Sequence, residues 1–251
     1  MKQISLFLFL LLLTPITKAQ DLAFQYHTDF DSVLTLTQTE NHPLYYPGQL
    51  KRFHQRDTSL SSFEILALMI GFTKQPYFRP YAYLETERRI YRLNDDGKFQ
   101  EALQASDSLL ALAPFSARAL IEKSYALYKL NQPDSSAYYS WKFRSMMEAM
   151  AISGKGTSAD EAIFALGPAD GQLFVQKALA SGIGTMGSGR DSLGNFVDIL
   201  EAIIEDPETG EKNNIRLYFQ IQHAVSTMFL DMPEAGDQSK KGKKKKKKRK
   251  N

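Results

Sequence analysis

His54 and Asp57 are the two residues whose types and spacing most resemble a catalytic pair. An imidazole can act as a general base when a nearby carboxylate orients it, and residues three apart can meet at a helix end. The alternative is structural, because an aspartate in such a position often caps the turn that ends a helix. Both interpretations stay open from the sequence, and these two residues are the catalytic candidates of an exported hydrolase.

The remaining sequence offers no metal or cofactor motif. The four histidines, at positions 27, 42, 54 and 223, do not share a ligand spacing, so a zinc site would need residues from distant segments. Gly182 to Gly187 fits G-x-G-x-x-G, but this pattern indicates a dinucleotide site only between a strand and a helix. A helix is predicted before it and polar, glycine-rich sequence follows. We therefore predict a flexible loop at Ser181 to Gly189, with no cofactor and no metal.

An aromatic stretch, Tyr77 to Tyr81, contains Arg79 and could present a stacking platform for sugars. The alternative is that these rings seal the first helices onto the rest of the core. Pro80 disfavours helix at the residue before it, so we expect an extended linker here.

A basic tail ends the chain. Residues 20–239 hold 19 basic and 28 acidic residues, a net charge of −9, whereas the last dozen residues carry a charge of +10. The tail has nothing apolar to bury and is expected to be disordered over 232–251. It could bind anionic lipid, lipopolysaccharide or other polyanions, at about 1 kcal/mol per lysine near a membrane, without specific recognition of nucleic acid. The alternative is a solvated extension. The residues concerned are Lys240, Lys241, Lys243, Lys244, Lys245, Lys246, Lys247, Lys248, Arg249 and Lys250.

The first 19 residues have the layout of a secretory signal peptide. Lys2 precedes an apolar run from Ile4 to Leu13, and small residues at Thr17 and Ala19 precede a cleavage point before Gln20. The run is shorter than the roughly 20 residues needed to cross a bilayer. The pattern predicts export to the periplasm or the outside. Because the chain has no cysteine, disulfides cannot stabilise it there.

The first half of the chain is predicted to be helical, over residues 45–150. Pro47 favours a short helix reaching Phe53, and Ser61 with Glu64 fits a capping box before a helix that stops near Gly71. From Tyr83 a 34-residue period resembles tetratricopeptide repeats, with turns at Gly97 and Asn131 and small residues at Ala102 and Ser136. Such repeats bind peptides or serve as scaffold. The pattern predicts tetratricopeptide-like helix hairpins.

The second half, residues 156–230, is predicted to mix helix and strand. The pattern predicts a short strand at Ala162 to Leu166 and a helix that starts at Pro168. It also predicts a hairpin of two strands, Phe196 to Glu205 and Ile215 to Ile221. The fold class is therefore α+β. A signal peptide at 1–19 precedes one domain over 20–231, in which helical hairpins lead into a small antiparallel sheet.

Several of these motifs, taken in order, resemble an exported bacterial family known as domain of unknown function 4919. The resemblance runs from about Tyr45 to Phe229 and implies a helix-plus-sheet domain without an assigned activity. Gly156 to Ala162 lacks the family's leading Asp, and the lysine run is not part of the pattern. The motifs are Tyr45-Tyr46-Pro47 with Leu50 to Phe53, Asp57 to Ser61, Glu64, Gly71-Phe72, Tyr77 to Tyr81, Gly97 to Ala102, and Leu217 to Ile221.

The sequence thus predicts a non-enzymatic binding or scaffold module of the cell envelope, with a protein or glycan partner. The alternatives are the hydrolase at His54 and Asp57, and binding to anionic surfaces through the tail.

Overall fold

The computed structural model describes residues 24–205 and 209–228. The predicted signal peptide and the basic tail lie outside this part of the chain. Seven helices come first, and a four-stranded sheet with two further short helices follows, so the α+β prediction is confirmed. The first seven helices are α1 Tyr26–Gln38, α2 Tyr46–His54, α3 Ser62–Phe72, α4 Pro80–Asp95, α5 Phe99–Leu112, α6 Ala117–Lys129 and α7 Pro133–Ala151.

The sheet has the strand order β1-β4-β3-β2. Strands β2, β3 and β4 pair antiparallel, as predicted for the hairpin, but β1 runs parallel to β4, so the sheet is mixed and not purely antiparallel. Helix α8 ends in a π-helical turn, and α9 follows the sheet. These elements are β1 Ile163–Phe164, α8 Pro168–Leu173 with the π-helical turn Phe174–Ala178, β2 Gly182–Arg190, β3 Phe196–Glu205, β4 Lys212–Gln220 and α9 Gln222–Val225.

Helix α3 is the centre of the helical half. The predicted capping box is confirmed: the Ser61 hydroxyl accepts from the Glu64 backbone N–H at 3.2 Å, and the Glu64 carboxylate accepts from the Ser61 N–H at 2.9 Å. Every residue from Ile65 to Phe72 is buried. A helix that is apolar on all sides must be covered on all sides, and α1, α2 and α7 pack against it.

Helix α3 ends at Phe72, which confirms the predicted stop near Gly71, but Gly71 lies inside the helix and Thr73 is its C-cap. A Cβ at this position would lie 2.9 Å from the Tyr46 ring and 3.1 Å from Thr37. The missing side chain therefore lets α1 and α2 approach α3 closely. Helix α1 itself was not predicted, because its apolar residues, such as Val33 and Leu34, are few and its outer face is polar.

Helices α4 and α5, and then α6 and α7, form two helix pairs. Gly97 and Asn131 adopt the predicted left-handed conformation in the turns, with φ of 74° and 57°. Ser124 and Ser136 exchange hydrogen bonds at 2.9 and 2.8 Å, so small residues do allow a close helix contact there. That these pairs are tetratricopeptide units stays a prediction.

The stretch predicted as a flexible loop is strand β2, and this prediction was wrong. Its glycines lower strand propensity, but β2 pairs with β3 along most of its length and so satisfies its backbone groups. Gly184 also meets a steric need, because a Cβ there would lie 2.5 Å from the Glu201 carboxylate. In the described residues no helix combines the length and the apolar character that a membrane span requires.

Candidate functional site

His54 and Asp57 have separate partners. His54 ends α2, and its Nδ1 lies 3.0 Å from Nζ of Lys142 in α7. Asp57 accepts hydrogen bonds from the Ser59 hydroxyl at 2.6 Å and from Arg52 Nε at 2.7 Å, and these contacts lower the pKa of Asp57 to about 2. Among the described residues no hydrogen bond joins His54 to Asp57. This placement matches the structural alternative, in which Asp57 stabilises the turn after α2.

Lys142 is a buried amine beside His54. The residue is 4% exposed, and its Nζ lies 4.9 Å from the centre of the Phe53 ring and 4.6 Å from that of Tyr138. Burial, with a contribution from the charge of Lys123, lowers the pKa of Lys142 to about 8. Burial also lowers the pKa of His54. The arrangement stabilises the contact between α2 and α7 through aromatic rings, and no sequence pattern indicated it.

The aromatic stretch Tyr77 to Tyr81 does not form one platform. Phe78 is buried, with its ring edge-to-face against Phe72 at 5.5 Å, whereas Tyr77 is 57% exposed. Tyr81 is half-buried at the start of α4 and lines a groove described next. The core interpretation therefore fits Phe78, whereas Tyr81 lines the groove.

A groove runs between α4, α6 and the segment of α8 with its π-helical turn. Two concavities of about 780 and 540 Å³ make it up, and they share Tyr91, Glu122 and Lys177. We call this feature the α4–α6 groove. It is lined by Tyr81, Leu84, Glu87, Arg88, Tyr91, Arg92, Asn94, Asp95, Arg118, Ile121, Glu122, Ser124, Tyr125, Tyr128, Ser136, Pro168, Ala169, Gln172, Gln176 and Lys177.

Exposed tyrosine rings are the main apolar surface of the α4–α6 groove. Tyr91 is 50% exposed, Tyr125 43% and Tyr128 66%. Tyr91 and Tyr125 occupy equivalent positions of the 34-residue period, on the first helices of the two pairs. The 34-residue period therefore offered a signal for these residues, because it places a tyrosine at the same position of both helix pairs.

Asn94 also lines this groove, and its side chain has a buried acceptor without a partner in the part of the chain that the structure describes. Its Nδ2 donates to the Glu122 backbone carbonyl at 2.8 Å and to the Glu122 carboxylate at 2.9 Å, which fixes the orientation of the amide. The Asn94 Oδ1 is buried and has no hydrogen-bond partner among the described residues. Leaving such a group unpaired costs about 1–3 kcal/mol.

Two buried carboxyl groups, those of Glu87 and Asp170, lie beside the groove, which Glu87 also lines. Glu87 accepts a hydrogen bond from the Ser116 hydroxyl at 2.6 Å, and burial raises the pKa of Glu87. Asp170 accepts from the Gly167 N–H at 2.9 Å, and burial together with the charge of Glu87 raises the pKa of Asp170 to about 8. Both groups also border a small pocket of about 30 Å³. With a pKa of about 8, the Asp170 carboxyl is largely protonated at neutral pH and can donate a proton in a hydrogen bond.

A second cluster lies on the sheet side of the molecule, where His27, Asp160 and Asp191 converge. The histidine lies in the first turn of α1, Asp160 precedes β1, and Asp191 follows β2. The sequence predicted no metal centre because the four histidines share no ligand spacing. The fold supplies the assembly from distant segments that such a centre would require.

The ten basic tail residues, Lys240 to Lys250, lie outside the described residues, so their predicted role in polyanion binding stays a prediction.

The fold defines an α+β protein in which two helix pairs border an open groove.

A family model described as "Domain of unknown function (DUF4919)" matches residues 32–228. The chain belongs to this family, as the motifs in the sequence indicated. Comparison with curated proteins and with solved structures finds no match.

Proposed function

We propose that the chain is an exported, non-enzymatic binding module and that its α4–α6 groove holds a neutral oligosaccharide segment. The observation that carries this proposal is the set of exposed tyrosine rings, Tyr91, Tyr125 and Tyr128, that line the groove. A sugar offers apolar C–H faces for these rings and many hydroxyl groups for the polar side chains of the lining. The separate partners of His54 and Asp57 favour this module over the alternative hydrolase.

The size of the groove supports a polymer segment. Pockets for small ligands usually enclose about 300–1,000 Å³ and cover most of the ligand. The α4–α6 groove has one part of about 780 Å³ that continues into another of about 540 Å³, and both are open to solvent. An extended ligand with several repeating units would contact both parts, with Tyr91 at the junction.

The charge of the groove supports a neutral ligand. Its cations are largely matched by acids: Arg118 Nη1 lies 3.5 Å from Glu122 Oε1, and Arg92 Nη2 lies 2.5 Å from Glu85 Oε1. Paired charges of this kind supply both donors and acceptors without selecting a strongly charged partner. The Arg118 guanidinium also lies 5.7 Å from the centre of the Tyr91 ring and holds it in place.

The test is an array of neutral hexasaccharides built from glucose, N-acetylglucosamine, mannose or xylose, probed with the full chain. Binding of at least one probe is expected, and titration calorimetry then gives its Kd. Tyr91→Ala should weaken that Kd about ten-fold, because loss of about 60 Å² of apolar contact costs about 1.5 kcal/mol.

The matched control is Tyr77→Ala, since Tyr77 is similarly exposed but does not line the groove. This variant should bind like the wild type. Absence of binding to every neutral probe would overturn the proposal, as would equal losses in Tyr91→Ala and Tyr77→Ala. If no sugar binds, and peptides selected from a random library bind in the groove instead, the ligand of the groove is a peptide and not a glycan.

A second candidate function rests on the charge of the tail. Ten basic residues in the last dozen would attract anionic lipid or lipopolysaccharide. A chain truncated after Ser239 should lose binding to vesicles rich in phosphatidylglycerol, whereas neutral vesicles should bind neither form. Unchanged binding after truncation would exclude this role.

Export is the part of the proposal that rests on the first 19 residues. We expect the exported form to begin at Gln20. N-terminal sequencing of the chain recovered from a periplasmic or culture fraction tests this, and recovery of the intact Met1 form from the cytoplasm alone would refute it.

A further inference from the structure

We propose that His27, Asp160 and Asp191 form a binding site for one divalent transition-metal ion, of which Zn²⁺ and Mn²⁺ are the test cases. The site is separate from the α4–α6 groove, and no part of the argument depends on sugar binding. It joins the first turn of α1 to the loop before β1 and to the turn between β2 and β3.

The distances within the cluster suit a shared cation. His27 Nε2 lies 3.6 Å from Asp191 Oδ2 and 3.9 Å from Asp160 Oδ1, and all three ligand atoms lie within 4.8 Å of one another. Metal bonds to imidazole nitrogen and carboxylate oxygen are about 2.0–2.2 Å for zinc, so two ligands of one ion lie roughly 3–4 Å apart. The two measured separations fall in that range, and a small movement of the exposed Asp160 side chain closes the site.

The two carboxylates of the cluster converge on one imidazole. The Asp191 side chain is fully buried, and its carboxylate accepts hydrogen bonds from the Asn195 and Gln220 amides. Within the described residues its ion-pair partner is His27, which Asp160 also approaches. A divalent cation held between these three side chains would balance the negative charge of both carboxylates.

Outer hydrogen bonds already orient the ligands. Asp191 Oδ1 accepts from the backbone N–H groups of Leu193 and Asn195 at 3.0 and 2.8 Å, and its Oδ2 accepts from the Gln220 amide at 3.1 Å. Asp160 Oδ1 accepts from the Ser192 N–H at 2.8 Å. Such supporting contacts are a regular feature of metal sites, where they fix ligand geometry before the ion binds.

Asn195 links the two better-buried ligands. Its Nδ2 donates to Asp191 Oδ2 at 2.9 Å and lies 3.5 Å from His27 Nδ1. Coordination through Nε2 places the imidazole proton on Nδ1, so metal binding should turn the Asn195 amide to present its oxygen to that proton. Replacing Asn195 with Ala should therefore weaken metal binding without removing a ligand.

The donor set indicates which metals fit. One imidazole and two carboxylates favour Zn²⁺ or Mn²⁺ over Ca²⁺ and Mg²⁺, which prefer oxygen ligands alone. Three protein ligands leave at least one coordination position for water or another small ligand. A cavity of about 450 Å³ lies beside His27 and Asn195, and the Asp160 side chain is 53% exposed, so this position is accessible.

The experiment uses the untagged full chain, stripped with a chelator and then titrated with Zn²⁺ and with Mn²⁺ in separate calorimetric runs. One equivalent should bind per chain. Asp160→Asn and His27→Gln should each weaken the Kd at least ten-fold. The new amide in Asp160→Asn keeps an oxygen that can accept the Ser192 N–H, so this variant should remain folded. Saturating Zn²⁺ should also raise the Tm of the wild type and not that of Asp160→Asn.

Two matched controls separate this site from general metal affinity. Asp31→Asn removes an exposed carboxylate from the same 450 Å³ cavity, and His42→Gln removes a histidine elsewhere. Both should bind like the wild type. The proposal is overturned if the wild type shows no calorimetric binding of either metal, or if the double variant His27→Gln, Asp160→Asn binds as well as the wild type. In either case the cluster is a histidine ion pair only.

Discussion

The buried amine of Lys142 makes a sharp prediction about stability and pH. In an unfolded chain a lysine keeps a pKa near 10.5, whereas burial in the folded protein lowers the pKa of Lys142 to about 8. Between these values the unfolded chain binds a proton that the folded protein releases. The free energy of unfolding must therefore rise with pH across this window, and the cost of burying the ammonium is fully present below about pH 8.

The size of the effect follows from the shift and from the rings around the amine. A folded pKa near 8 makes Lys142 contribute a gain of about 2 kcal/mol between pH 7 and pH 9.5. The Phe53 and Tyr138 rings, at 4.9 and 4.6 Å from Nζ, attract the charged form and oppose part of the shift. We therefore expect a gain of about 1–2 kcal/mol.

The assay compares urea unfolding of the wild type with that of Lys142→Met at pH 7, 8, 9 and 9.5. Trp141 is the single tryptophan, and its ring lies 5.5 Å from that of Phe53, so its fluorescence reports on this contact. The methionine fills a similar volume without a charge. The difference between wild type and variant isolates Lys142, since the other titrating groups are common to both chains.

The stability of the wild type relative to Lys142→Met should increase by about 1–2 kcal/mol over this range. The control is Lys51→Met on the exposed side of α2, for which the difference should stay constant. A constant difference for Lys142→Met as well would refute the reasoning, because it would mean that the ammonium keeps its solvation in the folded protein.

Three further predictions concern packing, capping and a buried acid. Gly71→Ala should destabilise the fold by about 1–3 kcal/mol in urea unfolding because its Cβ meets Tyr46, whereas Gly48→Ala, with no atom within 4 Å, should be neutral or stabilising by up to about 1 kcal/mol. Ser61→Ala removes the capping box and should lower the free energy of unfolding by about 1 kcal/mol. The raised pKa of Asp170 means that the folded protein keeps a proton that the unfolded chain loses, so stability should fall as pH rises from about 4 to 8. Asp170→Asn should remove at least about 1 kcal/mol of that fall, and an unchanged pH profile would contradict the assignment.

Local signals were strong where a single residue type decides the backbone. The capping box at Ser61 and the left-handed turns at Gly97 and Asn131 were predictable because a few neighbouring atoms determine them. The hairpin of β3 and β4 was predictable from alternation and turn residues. Strand β2 was not predictable from its own residues. Its hydrogen bonds to β3 outweigh the low strand propensity of its glycines, and β3 lies elsewhere in the sequence.

Site residues were harder to predict because their roles arise from tertiary contacts. In the sequence His54 stands out through its neighbour Asp57, but its ring nitrogen contacts Lys142, 88 residues away. Asp191 lies far along the chain from His27 and Asp160, and only the fold brings the three together. Asn94 carries no sequence signal at all, because its unpaired oxygen depends on how Glu122 uses the amide nitrogen.

The charge distribution of the chain provides a way to separate its two proposed binding functions. The body from residue 20 to 239 has a net charge of −9, so its field opposes anionic polymers in general, and the +10 tail is the segment that would attract them. Tail binding should weaken steeply between about 50 and 200 mM salt, because each neutralised charge contributes to the salt dependence. The α4–α6 groove pairs its own charges and would act through stacking and hydrogen bonds, so its affinity for a neutral sugar should hardly change over the same range. A sugar affinity that fell with salt as steeply as vesicle binding would place the sugar on the tail and remove the argument for the groove.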